Sequence, residues 1–245
     1  MALSGKQTAR YHRQLMLPEI SGGGQERLLG AGVLVVGAGG LGSAVCYYLA
    51  AAGVGRIGIA DGDRVDLSNL QRQIIHTVAD IGRPKVVSAR EKLLALNPDI
   101  TVIEHRLELT WENAAALVDG YDLVIAAVDN CAARYILNDT CYQKKKPLVD
   151  GAVGGFTGQV TTFLPPAGPC YRCLFPGHNT VMPHVTGVVG ALAGLIGTVQ
   201  AYEALKHILG AGELLNGRLL YIDALVNDYA TYKYGRIPDC PVCGD

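Results

Sequence analysis

The sequence predicts an α/β protein on a Rossmann-like mixed sheet, parallel with helices on both faces in its N-terminal half and antiparallel in its C-terminal half. Two observations carry this. Between Gly30 and Asp150 short apolar runs alternate with longer helical patterns, the signature of βαβ units. Around residues 159–164 and 230–234 polar and apolar residues roughly alternate instead, as in antiparallel strands with one exposed face. No internal repeat or low-complexity linker divides the 245 residues, which are therefore read as one domain with halves at about 30–150 and about 151–245.

The elements follow in order. Residues 33–36 are apolar and mostly β-branched, which suits a strand buried on both faces. Glycines begin at Gly37, and residues 43–52 read as a helix stopped by Gly53 and Gly55. Residues 57–60 are a second strand ending at Asp61. Residues 85–96 form an amphipathic helix, 101–103 a third strand, and 123–128 a fourth that ends at Asp129. The stretch 165–186, rich in Pro, Gly and Cys, is expected to be a long loop. Residues 187–199 are apolar but diluted by Gly187, Gly190, Gly194 and Gly197. The apolar run is shorter than the ~20 residues a bilayer needs, so a buried helix of small residues is expected there.

Composition narrows the function. Hydrophobic residues make up 49% and charged residues 18%, enough for a packed core. The net charge of -1 offers no electrostatic footprint for nucleic acid or an anionic membrane. The first thirteen residues lack the apolar stretch of a secretory leader. With an odd count of seven cysteines, this points to a cytoplasmic protein using metal or thiol chemistry rather than a disulfide scaffold.

Three motifs carry chemistry. Gly37-Ala38-Gly39-Gly40-Leu41-Gly42 lies between a strand and a helix, where glycines let the backbone approach phosphate and the helix N-terminus offers free N–H groups. Asp61, at the end of the next strand, stands where a carboxylate binds ribose hydroxyls. Alone, this reads as a nucleotide site with NAD as the default, so an NAD-dependent oxidoreductase is the alternative reading. The second motif, Ser68-Asn69-Leu70-Gln71-Arg72-Gln73 followed by Arg83-Pro84-Lys85, adds cations that a triphosphate needs and a dehydrogenase does not. Asp129, at a strand's C-terminal end, suits a hard cation, or else the N-cap of the following helix. The third motif is Cys170-Tyr171-Arg172-Cys173 with Cys240-Pro241-Val242-Cys243. Two such knuckles supply four thiolates for a closed, structural tetrahedral zinc site, a better fit than a redox pair, which normally opens a helix.

With these motifs in order, and with Arg10-Tyr11-His12-Arg13-Gln14, Gly82-Arg83-Pro84-Lys85 and Asp129-Asn130, the sequence resembles the ThiF/MoeB/HesA family, bacterial relatives of ubiquitin-activating enzymes. The resemblance covers nearly the whole chain. It implies an adenylyltransferase that uses ATP and magnesium to activate the C-terminal carboxylate of a ubiquitin-like sulfur carrier, ThiS- or MoaD-like, ending in Gly-Gly. The pathway would be thiamine or molybdopterin biosynthesis, with a separate sulfur donor. In this family's terms Gly37, Gly39, Gly40 and Gly42 line the nucleotide, and Asp61 holds the ribose. Asn69, Arg72 and Lys85 hold the triphosphate, and Asp129 binds magnesium. Arg13 reaches the γ-phosphate from the other subunit of a homodimer. Residues 30–150 become the nucleotide-binding half and residues 151–245 the carrier-binding and zinc half. A branch acting on tRNA and a non-catalytic scaffold subunit of the same family are the rivals; the neutral charge argues against the first, and the complete set of ATP-site residues against the second. One departure stands out. Many relatives carry a cysteine just before the run that here reads Thr186-Gly187-Val188-Val189, whereas this chain has Pro183-His184 there. A covalent carrier intermediate on that loop is therefore not expected. Cys46 and Cys141 read as buried inert thiols, and Cys131 as a thiol near the site.

Overall fold

The computed structural model describes residues 3–21, 23–177 and 187–244. Four short helices open it: α1 (Gly5–Arg10), α2 (His12–Leu15), α3 (Pro18–Ser21) and α4 (Gly24–Gly30). Then come β1 (Gly32–Val36), α5 (Gly40–Ala52), β2 (Arg56–Ala60), α6 (Lys85–Leu96), β3 (Thr101–His105), α7 (Trp111–Asp119), β4 (Leu123–Ala126) and α8 (Cys131–Lys144). The second half holds β5 (Leu148–Gly154), β6 (Thr157–Phe163), α9 (Tyr171–Leu174), α10 (Gly190–Leu209), β7 (Arg218–Asp223) and β8 (Asp228–Lys233).

Among these residues the strands form one eight-stranded sheet in the order β3-β2-β1-β4-β5-β6-β7-β8. The first five pair in parallel and the rest antiparallel, so the mixed sheet read from the sequence is the one observed. β1 sits in the middle of the parallel half, with Val33 opposite both Ile57 and Leu123. All five of its residues are buried. Its alternate side chains feed two cores. Val33 and Val35 face a core with α5, α6 and α10, whereas Leu34 and Val36 face one with α7 and α8. Both faces are covered, as a parallel sheet requires. β3 and β8 are the edge strands, and β8 is largely exposed.

The glycine-rich stretch expected to be helical forms the long helix α10. Its small residues permit close contact: a β-carbon on Gly197 would lie 2.4 Å from the Leu41 carbonyl oxygen of α5, and one on Gly190 2.2 Å from the Gln71 carbonyl oxygen in the segment between β2 and α6. Gln200, in mid-helix, donates from Nε2 to the Ala126 carbonyl at the end of β4. No helix among the described residues is long and apolar enough to cross a membrane.

One buried ion pair fixes the end of β4. Arg134 Nε donates to Asp150 Oδ1 at 3.0 Å, and its Nη2 donates to the Val128 carbonyl at 2.7 Å and the Gly151 carbonyl at 2.9 Å. Burial pushes the Asp150 carboxyl up, and Arg134 works against that shift. Arg134→Ala would leave a carboxylate buried without its partner. The expected loss is about 3–5 kcal/mol of stability, read as a lower midpoint in urea denaturation.

Candidate nucleotide site and thiolate cluster

The turn from β1 into α5 is built by close contact. Gly37 has φ +100°, and its N–H donates to the Ala60 carbonyl at 2.8 Å. A β-carbon there would lie 2.4 Å from the Ala127 carbonyl oxygen. A β-carbon on Gly42 would lie 1.9 Å from the Gly37 carbonyl oxygen. Only glycine fits both positions. The helix begins at Gly40, three residues earlier than expected, because Gly39 serves as its N-cap with no side chain to occupy the first-turn N–H groups. Those groups and the positive end of a 13-residue helix face outward from the C-terminal edge of the sheet.

The polar residues expected around this turn gather at it. Asp61 accepts from the Ala38 N–H through Oδ2 and from the Asp63 N–H through Oδ1, both at 2.8 Å, so its carboxylate is fixed in orientation. Lys85 is buried and donates from Nζ to Asp63 Oδ2 at 2.7 Å, with the Asp63 side chain 73% exposed. Asn69 closes the 3-10 turn Leu67–Asn69, which Asp66 caps. Its carbonyl accepts from the N–H groups of Arg72 and Gln73. Arg72 packs on the helix start, its Cγ 3.5 Å from where a Gly40 β-carbon would be, and its Nη1 donates to the Ser68 carbonyl at 3.2 Å. Asp129 is exposed two residues past Ala127, the residue against which Gly37 is pressed. The helix-cap reading of Asp129 is corrected here: Asn130 caps α8, accepting from the Ala133 N–H at 2.8 Å.

Arg13 stands apart. It is exposed on α2, and the next residue, Gln14, donates to the Ala52 carbonyl at the far end of α5. Tyr11 anchors the segment; it is buried and accepts from Asn97 Nδ2 at 2.9 Å. The twelve rises of α5 put roughly 18 Å between that anchor and the glycine turn. The chain therefore does not bring its own Arg13 to the site.

Two site-lining residues escaped the sequence reading. His76 is buried with Nε2 3.1 Å from the Ala38 carbonyl. Gln73 is buried beside Gly39.

The four cysteines of the two knuckles converge. All are buried, and their sulfurs lie within 4.8 Å of one another. The short contacts cross between knuckles, Cys170 to Cys240 at 3.6 Å and Cys173 to Cys243 at 3.2 Å. Tetrahedral bonds of about 2.3 Å set sulfurs about 3.8 Å apart, so the cluster fits a four-thiolate metal. Burial opposes ionisation of Cys240, but the N–H groups of Cys243 and Val242 outweigh it and bring this thiol down to about 7. The first knuckle is not wholly in a loop, since Cys170 caps the short helix α9 and Cys173 lies within it. Opening a helix is a redox-pair feature; the crossing of contacts between knuckles is not. Of the other thiols, Cys46 is fully buried and pushed up to about 12, and burial pushes Cys141 up as well. Cys131 opens α8 and is half-buried. Pro183 and His184 lie outside the described residues.

A doubly covered sheet with a glycine turn, an oriented carboxylate and cations at one edge has the architecture of the nucleotide-binding α/β class. The chain belongs to the ThiF family, whose profile matches residues 11–242. It is 48% identical to a sulfur carrier protein adenylyltransferase of Thermus thermophilus, over 96% of this chain and 90% of that protein. It is 46% identical to the SAMP-activating enzyme E1 of Haloferax volcanii, over 100% of this chain and 92% of that protein. It is 47% identical to the adenylyltransferase and sulfurtransferase MOCS3 of Culex quinquefasciatus, over 99% of this chain but only 57% of that longer protein. A crystal structure of E. coli MccB with AMPCPP and MccA shares the fold, with a TM-score of 0.87 at 22% identity over 100% of this chain and 75% of that one.

The thiolate cluster yields a direct expectation. Protein purified without chelator should carry about one metal ion per chain by elemental analysis. Cys170→Ser should lower the thermal midpoint more than Cys46→Ser; metal-free protein of unchanged midpoint would remove the metal from the account.

Proposed function

We propose that the protein uses ATP to adenylate the C-terminal glycine carboxylate of a ubiquitin-like sulfur-carrier protein. What supports this reading is Arg72 packed on the start of α5, Lys85 paired with Asp63, and Asp129 two residues past the Ala127 that Gly37 presses on, in a chain nearly half identical to a protein named for that activity. A carboxylate oxygen of the carrier attacks the α-phosphorus, the bond to the bridging oxygen breaks, and pyrophosphate leaves with its electron pair. An acyl-adenylate remains. Such a transfer depends on positioning and charge neutralisation more than on covalent help. The first-turn N–H groups of α5 face the phosphates, Asp61 accepts from ribose hydroxyls, and Asn69 binds alongside Arg72. Lys85 exchanges part of its contact with Asp63 for phosphate oxygen. Asp129 would hold a magnesium ion, which would offset the charge of the leaving pyrophosphate. NAD chemistry leaves Arg72 and Lys85 without a task.

In this reading the carrier ends in Gly-Gly, its tail reaches the nucleotide from the 151–245 half, and a separate persulfide donor consumes the acyl-adenylate. Zinc is the metal of the four thiolates, since a closed four-sulfur site suits it and leaves no open position for chemistry. The enzyme is a homodimer with shared sites. The distance between Arg13 and its own glycine turn supports this, because a partner copy can supply what the chain's own fold keeps away.

The decisive experiment mixes protein, ATP, magnesium and candidate carriers and reads adenylated carrier by intact mass. Asp129→Ala is expected to lower ATP–pyrophosphate exchange by at least about a hundredfold with an unchanged circular dichroism spectrum; wild-type exchange in that variant sinks the magnesium assignment. Mixing Arg13→Ala with Asp129→Ala subunits should restore part of the activity, since each hybrid dimer rebuilds one site. Absence of rescue, with subunit exchange verified, places Arg13 outside a shared site.

A further inference from the structure

Two successive peptide groups of the glycine turn are held from the protein side. The Ala38 N–H donates to Asp61 Oδ2 at 2.8 Å, and the Ala38 carbonyl meets His76 Nε2 at 3.1 Å. A carbonyl only accepts, so Nε2 carries the imidazole proton. The other ring nitrogen, Nδ1, lies 2.9 Å from Ser88 Oγ, and Ser88 Oγ accepts from Lys92 Nζ at 2.8 Å. Lys92 is paired with Asp80, which is buried and also accepts from the Thr77 N–H and hydroxyl and from Arg83. Donation therefore runs one way, from the Lys92 ammonium through the Ser88 hydroxyl and His76 to the Ala38 carbonyl. His76 is 5% exposed and Ser88 0%. Burial lowers the affinity of His76 for a second proton; Lys92 and Lys85 add to this, while the Ala38 carbonyl and Asp80 oppose it.

The carbonyl of Ala38 and the N–H of Gly39 belong to the same planar trans peptide and point in opposite directions. Holding the carbonyl on His76 thus directs the Gly39 N–H away from the protein interior, toward the mouth of the turn. No acceptor among the described residues takes that N–H.

We propose that His76 is a positioning residue for nucleotide phosphate: by holding the Ala38 carbonyl it presents the Gly39 N–H, in line with the first-turn N–H groups of α5, to a phosphate oxygen. The inference rests on the nucleotide reading of the site. His76 touches no substrate. It sets the angle of one peptide, and the Lys92–Asp80 pair, acting through Ser88, sets His76.

The test compares wild type with His76→Phe, His76→Gln and Ser88→Ala in three measurements: equilibrium dialysis with labelled ATP, exchange kinetics with ATP and carrier varied separately, and urea midpoints. His76→Phe keeps the bulk and loses the donor. Losing one oriented hydrogen bond is worth about tenfold in ATP affinity and KM, with the carrier KM within about twofold. His76→Gln, whose amide can donate to Ala38, should recover most of the loss. Ser88→Ala should give a smaller rise in the ATP KM, because the ring stays but its partner is gone. Unchanged ATP affinity in a folded His76→Phe overturns the inference, as does an equal rise for ATP and carrier, which marks general damage. If His76→Phe does not fold, Ser88→Ala and His76→Gln decide, with wild-type ATP KM in Ser88→Ala counting against the relay. Wild-type protein that binds no ATP refutes the nucleotide reading itself and takes this inference with it.

Discussion

The turn between β1 and α5 closes on itself at less than ordinary van der Waals distance from any conceivable side chain. A methyl group on Gly42 would sit 1.9 Å from the Gly37 carbonyl, and one on Gly37 would press on Ala127. That double contact ties the start of the first long helix to the ends of both β1 and β4. It brings Asp129, two residues beyond Ala127, to the same edge as the helix N-terminus. Asp61 then locks the turn from the β2 side. This edge therefore presents backbone with one carboxylate on each flank, and the steric contact of Gly37 and Gly42 fixes the backbone.

Polar groups buried behind the turn maintain its shape. Arg134 spans Val128, Asp150 and Gly151 and so joins the last parallel strand pair to the approach of Asp129. Gln200 reaches from α10 to the end of β4. On the other side His76 and Asp80 secure the segment that carries Arg72 and Lys85. Buried networks of this kind rigidify because an unpaired member is costly. This edge of the sheet is therefore backed by hydrogen bonds as well as by apolar packing.

The glycine turn, Asp61, the cations and the thiolate knuckles were legible in the sequence because each is a local pattern at fixed spacing. β5 was not, since Gly151 and Gly154 dilute it and its neighbours in the sheet lie elsewhere in the chain. The helix α7 was missed although Thr110 and Asn113 form its capping box, a signal spread over four residues. His76 carried no local mark: its contact with Ala38 spans 38 residues, and only the fold creates it. The choice between Asp129 and Asn130 as helix cap depends on backbone angles that neighbouring cap-forming residues leave open in the sequence. Arg13 was placed by resemblance, and the fold holds its neighbour Gln14 against the far end of α5.

The thiolate cluster joins residues 70 apart, and in chain order its second knuckle follows the eighth strand. During synthesis no metal can be held by all four sulfurs until every strand of the sheet has been made. Cys170 and Cys173 wait as an open half-site while α10, β7 and β8 emerge. A chain that stops before Cys240 lacks two of the four sulfurs and cannot close the cluster, whatever the rest of its sheet has done.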